Sequence, residues 1–407
     1  MTCIITPPVA IPTVEEHWTL SADLEEVAPA WSAAAPAANV FLQLPYLRAL
    51  AAAPPEGMAL RYAVYSQAGR PIGVVLLQLA TFWAAKNIRT DAGSHGFRQR
   101  MYAGMRRAVS QRAAFRTLTC GNFLLSGQHG FYFDPDAVKL PRQLILVEQA
   151  LELAKAQFAE QRLAIDGFFV KDINAASAPT ARRYFTKRQF HEVGFQPNMV
   201  LRLRPDWREM PDYLAAMTSK YRVRARKVLK LAQPIGRQRW TTATIVARRH
   251  ELFALYRQVA QQAAFNLLYL TPDYLPALAD RLGDDFRLTV YTLAGRLVGF
   301  RTTIANGDTL EAHFLGYDVR LRRTHRLYQA MLYDLVAEAL AGGYRGLVFA
   351  RTALEMKSTV GATPESLVSF LRHDKSWANR LLPRVFNYLA PKVEWTQRRP
   401  FKSGELL

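Results

Sequence analysis

The sequence predicts an α/β (α+β) fold of two tandem mixed-sheet domains. Three observations predict it: an ordered internal repeat, a hairpin signal inside each copy, and a long helix followed by a strand after each hairpin. Val64-Tyr65-Ser66-Gln67-Ala68-Gly69-Arg70-Pro71-Ile72-Gly73 aligns with Val290-Tyr291-Thr292-Leu293-Ala294-Gly295-Arg296-Leu297-Val298-Gly299, 226 residues later. Upstream, Tyr46-Leu47-Arg48-Ala49-Leu50 matches Tyr274-Leu275-Pro276-Ala277-Leu278 at an offset of 228. Two short matches in one order at nearly one spacing point to a duplicated domain.

Each Ala-Gly-Arg lies between β-rich runs, and glycine supplies the positive φ that a tight hairpin needs. The expected strands are 61–66 with 71–82, and 287–293 with 297–305. A third strand, 309–317, follows the Asn306-Gly307-Asp308 turn. A helix over 142–161 then leads to a strand over 163–170 in the first half. In the second half Leu327, Met331, Leu335 and Ala339 repeat at i+4 in a helix over 326–341, which Gly342-Gly343 stops before a strand over 346–350. Between the halves, Ser219 to Lys230 reads as a helix with Tyr221, Ala225, Val228, Leu229 and Ala232 on one face and six cationic residues around them. The expected organisation is an acidic leader over 1–39, domains over 40–207 and 208–372 with the second as the catalytic one, and a basic tail over 373–407.

Half of the 407 residues are hydrophobic, which is ample for large cores and argues against disorder. The formal charge is +20, from 53 Lys+Arg against 33 Asp+Glu. Residues 1–47 hold five acids and no Lys or Arg, so the other 360 carry +25. Cations concentrate in two acid-free stretches, ten over 213–250 and six Arg over 92–133. Such a balance favours anionic partners.

Several classes drop out. Two cysteines, Cys3 and Cys120, build neither a disulfide framework nor a thiolate metal site. No His-Glu-x-x-His, P-loop, dinucleotide fingerprint or Gly-x-Ser-x-Gly elbow is present, so no metal, NTP or nicotinamide chemistry is expected. The first residues lack a cationic n-region. The longest mostly apolar run, 74–85, is too short for a bilayer of about 30 Å. These features lead to the expectation of a cytoplasmic protein without a transmembrane segment, still compatible with peripheral membrane contact.

Leu315-Gly316-Tyr317-Asp318-Val319-Arg320, the helix with Leu327-Tyr328, and Gly343-Tyr344-Arg345-Gly346-Leu347 resemble the core of the GNAT acyltransferase superfamily. Tyr213-Leu214, Ser219-Lys220-Tyr221-Arg222, Tyr274-Leu275, Gly299 and Arg351-Thr352-Ala353-Leu354-Glu355-Met356-Lys357 are similar to its Fem-like branch, which includes CelD-like acetyltransferase domains and Fem peptidyltransferases. The resemblance is good over about 210–370 and weaker over 40–205. It implies two GNAT-like domains in a Fem-like arrangement and an N-acyltransferase. The donor would be acyl-CoA, acetyl-CoA in the first instance, and the acceptor an amine on an amino sugar, amino acid or lipid precursor.

The resemblance also implies roles for residues. The pyrophosphate of acyl-CoA would lie at the start of the helix after the central strand, on Val319, Arg320, Arg322, Arg323, Thr324, His325 and Arg326, where unsatisfied N–H groups favour phosphate. This turn lacks the glycines usual there. Period-2 alternation puts Glu311, His313, Leu315 and Tyr317 on one strand face, with Glu311 or His313 as general base. Tyr328 would protonate the departing thiolate. Lys357 joins the catalytic group. Arg351 and Glu355 would bind substrate, Glu355 sharing one side of an extended chain with Lys357. Lys220 and Arg222 match a segment that contributes to an anionic acceptor site, and the Arg-rich 98–116 segment is a further candidate for holding an anionic acceptor. Two rivals remain: aminoacyl-tRNA as donor, and a non-catalytic protein of the same fold binding nucleic acid or anionic membrane.

Overall fold

The computed structural model describes residues 15–83, 114–262, 268–389 and 395–402. Two mixed sheets carry the fold. The first runs β1 (Glu16–Ser21), β2 (Ala59–Gln67), β3 (Arg70–Trp83), β4 (Ala114–Cys120), β6 (Gly167–Ile173), β15 (Val368–His373) and β7 (His191–Val193), with β5 (Phe131–Phe133) also paired to β3. The second runs β14 (Thr363–Glu365), β8 (Asn198–Arg202), β13 (Gly346–Val348), β12 (Thr309–Tyr317), β11 (Arg296–Asn306), β10 (Phe286–Leu293) and β9 (Gly236–Arg239).

Both repeated hairpins form as two-residue turns with positive φ at each central position. Ala68 and Ala294 both sit at 48°, Gly69 at 75° and Gly295 at 76°. That geometry matches the twist of the flanking strands, which explains why the same Ala-Gly-Arg recurs. After the hairpins, helix Leu140–Glu160 buries Leu144, Val147, Leu151, Ala154 and Phe158 against the first sheet. Helix Leu327–Ala341 is apolar nearly all round because it is covered twice, by the second sheet and by Ala225, Val228 and Ala232 of the helix Ser219–Leu231 segment.

The sheets cut across the expected domain limits. β8, from the end of the first half, lies between β13 and β14 of the second sheet. β15, from the end of the second half, lies between β6 and β7 of the first. Each half thus lends one strand to the other, and a linear boundary near 207 runs through both sheets and separates neither from the other. The leader and tail also differ from expectation. Residues 16–21 pair with β2, Asp23 caps helix Leu24–Ala34, and Glu25 binds Arg48 at 2.7 Å, so the early acids are structural. Helix Ser376–Leu389 packs on β15 and β7, and residues 395–402 return to the second half, where Phe401 packs on Trp207 and Tyr213.

A shared core joins the halves. Helices Leu44–Ala52 and Tyr274–Leu282, which carry the two copies of the Tyr-Leu repeat, pack on one another with Trp31, Phe41, Tyr256 and Phe300. Each sheet therefore has one face on its own long helix and one on the shared core. Replacing Ala294 by Asn, which tolerates left-handed backbone better, should raise stability by about 0.5–1 kcal/mol, read as an upward shift in the urea midpoint with m unchanged.

Candidate active site

The two halves differ where their central parallel strands meet. In the first sheet the β4–β6 ladder runs from Thr117↔Gly167 to Cys120↔Val170, to the last residue of β4. In the second, β12 pairs with β13 only at Thr309, Leu310 and Glu311. Residues 312–317 then have no strand partner on that edge among the described residues. The second sheet opens; the first is closed.

On its other edge β12 carries a bulge. Arg301 faces Leu315 but Thr303 faces Ala312, and the Thr302 hydroxyl donates to Phe314 O and accepts from Phe314 N, both at 2.9 Å. The inserted residue breaks the alternation expected for the strand. Glu311 and His313 face the shared core, whereas Leu315 and Tyr317 pack with Leu310 and Ala312 towards helix Leu327–Ala341. Gly316 is required beside the bulge, since a Cβ there would lie 2.4 Å from Tyr256 N on helix Arg249–Ala260.

Glu311 is buried, and burial pushes its carboxyl up to about 8, only partly opposed by Asn306, whose Nδ2 lies 3.4 Å from Oε1. Asn306 is itself held across the interface, its Oδ1 accepting from Val40 N at 2.9 Å. Burial pushes His313 down to about 3, so its ring is neutral at pH 7. Its Nε2 lies 2.9 Å from the Tyr274 hydroxyl, which faces the hydroxyl of Tyr46, and Asn122 Nδ2 donates to Tyr46 at 3.0 Å. Sequence reasoning missed Asn306, Asn122 and the role of the two tyrosines. The signal was present for the tyrosines, which open the two copies of the Tyr-Leu repeat.

The exit of β13 is conformationally unusual. Ala350, Thr352 and Ala353 have φ of 57°, 69° and 48°. Three non-glycine residues in left-handed backbone within four positions mark stored strain that the surroundings must hold. Lys357 holds it from one side: its Nζ donates to Ala350 O at 3.1 Å and to Arg351 O, and burial brings the amine down to about 7. Asp172 holds it from the other half. Its Oδ1 accepts from Arg351 and Ser369, its Oδ2 from Lys171 and from Gly127 N. Burial raises the Asp172 carboxyl, but Lys171 and Arg351 outweigh it and hold the group low. Residues Leu354–Ser358 form a helical turn, not an extended chain, so Glu355 and Lys357 diverge. Glu355 reaches Arg398 at the surface while Lys357 points inward.

At the turn after β12, Arg320 makes a two-pronged ion pair with Asp318, Leu321–Thr324 form one helical turn, and Thr324 Oγ1 lies 3.0 Å from His325 Nδ1. Val319 is half-buried, Arg322 is exposed, and Arg326 is left-handed at 51°. No side chain caps helix Leu327–Ala341. Tyr328, its second residue, stacks on Tyr317 with ring centres 6.0 Å apart, and burial raises its phenol well above the ordinary range. The side chain of Arg323 and residues 98–113 of the Arg-rich segment lie outside the described residues. Lys220 is exposed and Arg222 reaches Ala215 O at 3.5 Å; neither is brought to Glu311 or Lys357 by a described contact.

Residues 219–358 match the family model described as acetyltransferase (GNAT) domain. No curated protein matches the chain. Similar solved structures include FemX, with 11% identity, 91% of this chain and 99% of that one covered, and a TM-score of 0.49. A tandem GNAT protein from the clavulanic acid biosynthesis pathway gives 12% identity, 88% and 98% coverage, and 0.47. The C-terminal domain of a putative lysylphosphatidylglycerol synthetase from Agrobacterium fabrum gives 9%, 80% and 88%, and 0.43. Replacing Asp172 by Ala, which strands buried Lys171 and Arg351 without their counter-ion, should cost about 3–5 kcal/mol in chemical denaturation, and Asp172→Asn less.

Proposed function

From the match of residues 219–358 to the acetyltransferase (GNAT) domain model, we propose that the chain is an N-acyltransferase that moves an acyl group from acyl-CoA, acetyl-CoA in the first instance, to the amine of a small acceptor. The open edge of β12 carries this reading. An extended donor with amide groups in its arm can pair with backbone groups 312–317 as a short strand would, which a ladder closed to its end, as in the first half, does not allow. The uncapped start of helix Leu327–Ala341, with Arg322, Arg323 and Arg326 beside it, suits the donor's pyrophosphate.

Binding along this edge would bring the amine to the thioester carbonyl, and proximity supplies much of the rate. The C–N bond forms as the C–S bond breaks. Glu311 takes the amine proton, its raised pKa suiting transfer near neutral pH, and is favoured over His313, whose depressed pKa makes a poor base. Backbone N–H groups on the open edge stabilise the developing oxyanion, and the Tyr328 hydroxyl returns a proton to the sulfur. Lys357 and Arg351 fix the turn on the far side of the opening, Lys357 through the carbonyls of Ala350 and Arg351 and Arg351 through Asp172.

A second reading, aminoacyl-tRNA as donor, is favoured by the phosphate turn, where Arg320 is already tied to Asp318 and no glycine opens the backbone. Thermal shift with CoA, acetyl-CoA and tRNA separates the two. The acyl-CoA reading expects CoA to raise the midpoint and Arg322→Ala with Arg323→Ala to reduce that shift far more than Arg106→Ala with Arg107→Ala. No shift with any CoA compound at saturation rejects it, and equal losses in the two pairs misplace the phosphate site.

The acylation rate should rise with pH through an apparent pKa near 8 as Glu311 loses its proton, and Glu311→Gln should lower kcat by about 10²–10⁴-fold. The linked effect on stability has a definite sign. Between 4.5 and about 8 the unfolded chain releases a proton that the folded chain keeps, so Glu311 lowers stability as pH rises. Urea unfolding should find Glu311→Gln more stable than wild type at pH 9, by on the order of 5 kcal/mol, and no more stable at pH 4.

A further inference from the structure

Helix Ser219–Leu231 buries Ala225 and Val228 and turns Lys220, Arg224, Arg226, Lys227 and Lys230 outward. No acid occurs between residues 213 and 250, and among the described residues none of the helix's six cations is ion-paired. Two large aliphatic side chains stand among these charges. Val223 is 64% exposed and Leu231 36%, eight residues and about 12 Å apart on one side of the helix, with Lys227 and Lys230 between them. The helix end runs directly into a second cationic feature: Arg237 donates to Ile235 O at 2.8 Å and to Ala232 O. Arg237 also borders a cleft of about 350 Å³ lined by Arg239, Arg287 and Arg301, whose four guanidinium charges face three carboxylates, Asp334 on Arg237, Glu338 on Arg287 and Arg301, and the exposed Asp284 on Arg239, which leaves one positive charge in excess.

We propose that this continuous surface, helix Ser219–Leu231 with the adjoining arginine cleft, docks the protein on an anionic phospholipid bilayer. The helix would lie in the plane of the interface with Val223 and Leu231 in the headgroup layer. Its lysines and arginines would meet lipid phosphates, and the cleft would receive one headgroup. Charge complementarity alone fits any polyanion; the aliphatic pair selects lipid. A nucleic-acid groove stacks bases on exposed aromatics, whereas the helix's one aromatic, Tyr221, is half-buried against the core of the second sheet with the Arg224 guanidinium over its ring. Exposed aliphatic groups within a cationic helix face are the composition of an interfacial helix. Among the described residues no helix is long and apolar enough to cross a membrane.

The test is flotation of the purified full chain with vesicles of phosphatidylcholine alone and with about 30 mol% phosphatidylglycerol, each cation near the surface contributing roughly fivefold in affinity. The protein should float only with the anionic vesicles and be released between about 0.1 and 0.5 M salt. Lys227→Glu with Lys230→Glu should weaken binding by about 100-fold or more, and Arg239→Glu by about tenfold. Val223→Ser with Leu231→Ser should bind about tenfold more weakly than wild type at intermediate salt, where screening leaves the apolar contribution. All these side chains are solvent-facing, and an unchanged thermal midpoint confirms that each variant is folded. Equal flotation with neutral vesicles, unchanged binding by Lys227→Glu with Lys230→Glu, or an aliphatic double variant that binds like wild type would overturn the proposal. So would displacement from vesicles by tRNA at concentrations at which inorganic phosphate of equal charge has no effect, which would make the surface a nucleic-acid site.

Discussion

The reciprocal exchange of β8 and β15 is the constraint on which the rest of the structure depends. β13 is only three residues long and finds its antiparallel partner in a strand from the first half; β6 finds its partner in a strand from the second. Backbone groups in a sheet interior must be paired, so neither sheet is complete without the other half of the chain. The shared core follows, because the exchange brings the uncovered faces of the two sheets together, and their repeated Tyr-Leu helices fill the space between them. The strained exit of β13 follows as well: the chain leaves a short strand clamped between β12 and β8 and must turn sharply to reach helix Leu354–Ser358.

That strain is held by buried charge, which is costly in isolation. Asp172 is fully buried, and each of its oxygens accepts two hydrogen bonds, so the ionised form is satisfied where an unpaired one would be expelled. Two of its partners, Arg351 and Ser369, come from the second half. Lys357 performs the complementary task with donors alone, meeting two backbone carbonyls that the positive φ values turn towards it. Burial lowers the lysine and raises Glu311, the same desolvation acting on opposite charges, so both come near neutrality within one domain.

Much of this was legible in the sequence, and the limits have physical causes. The hairpins were readable because a two-residue turn is encoded locally by Ala-Gly, and helix Leu327–Ala341 because its i+4 apolar spacing is local too. The duplication was readable because Tyr46 and Tyr274 open equivalent helices. Strand exchange was not, since a strand's residue pattern records that it is buried and not which sheet buries it. The bulge at His313 and Phe314 was hidden for a related reason: alternation is a rule for a regular ladder, and nothing in Glu311-Ala312-His313-Phe314-Leu315 announces an inserted residue. Glu355 and Lys357 were misplaced relative to one another because five residues form a helical turn whose start, Ala353 at positive φ, has no sequence signature.

The asymmetry between the halves shows how a duplicated fold can divide its labour. Equivalent strands meet in both sheets, but β4 is paired to its last residue, whereas six residues of β12 run on past its ladder. The closed half does not stand idle. It supplies Val40 N to Asn306, which touches Glu311; Tyr46 and Asn122 to the tyrosine beside His313; and Asp172 to Arg351. Every one of these contacts reaches a group that borders the open edge. A domain that closes its own cleft can be rigid, and rigidity is what an opening in the neighbouring sheet requires of its supports, because unpaired strand edges and left-handed alanines persist only where their surroundings over-determine them. The first half is therefore the scaffold on which the second can afford to remain open.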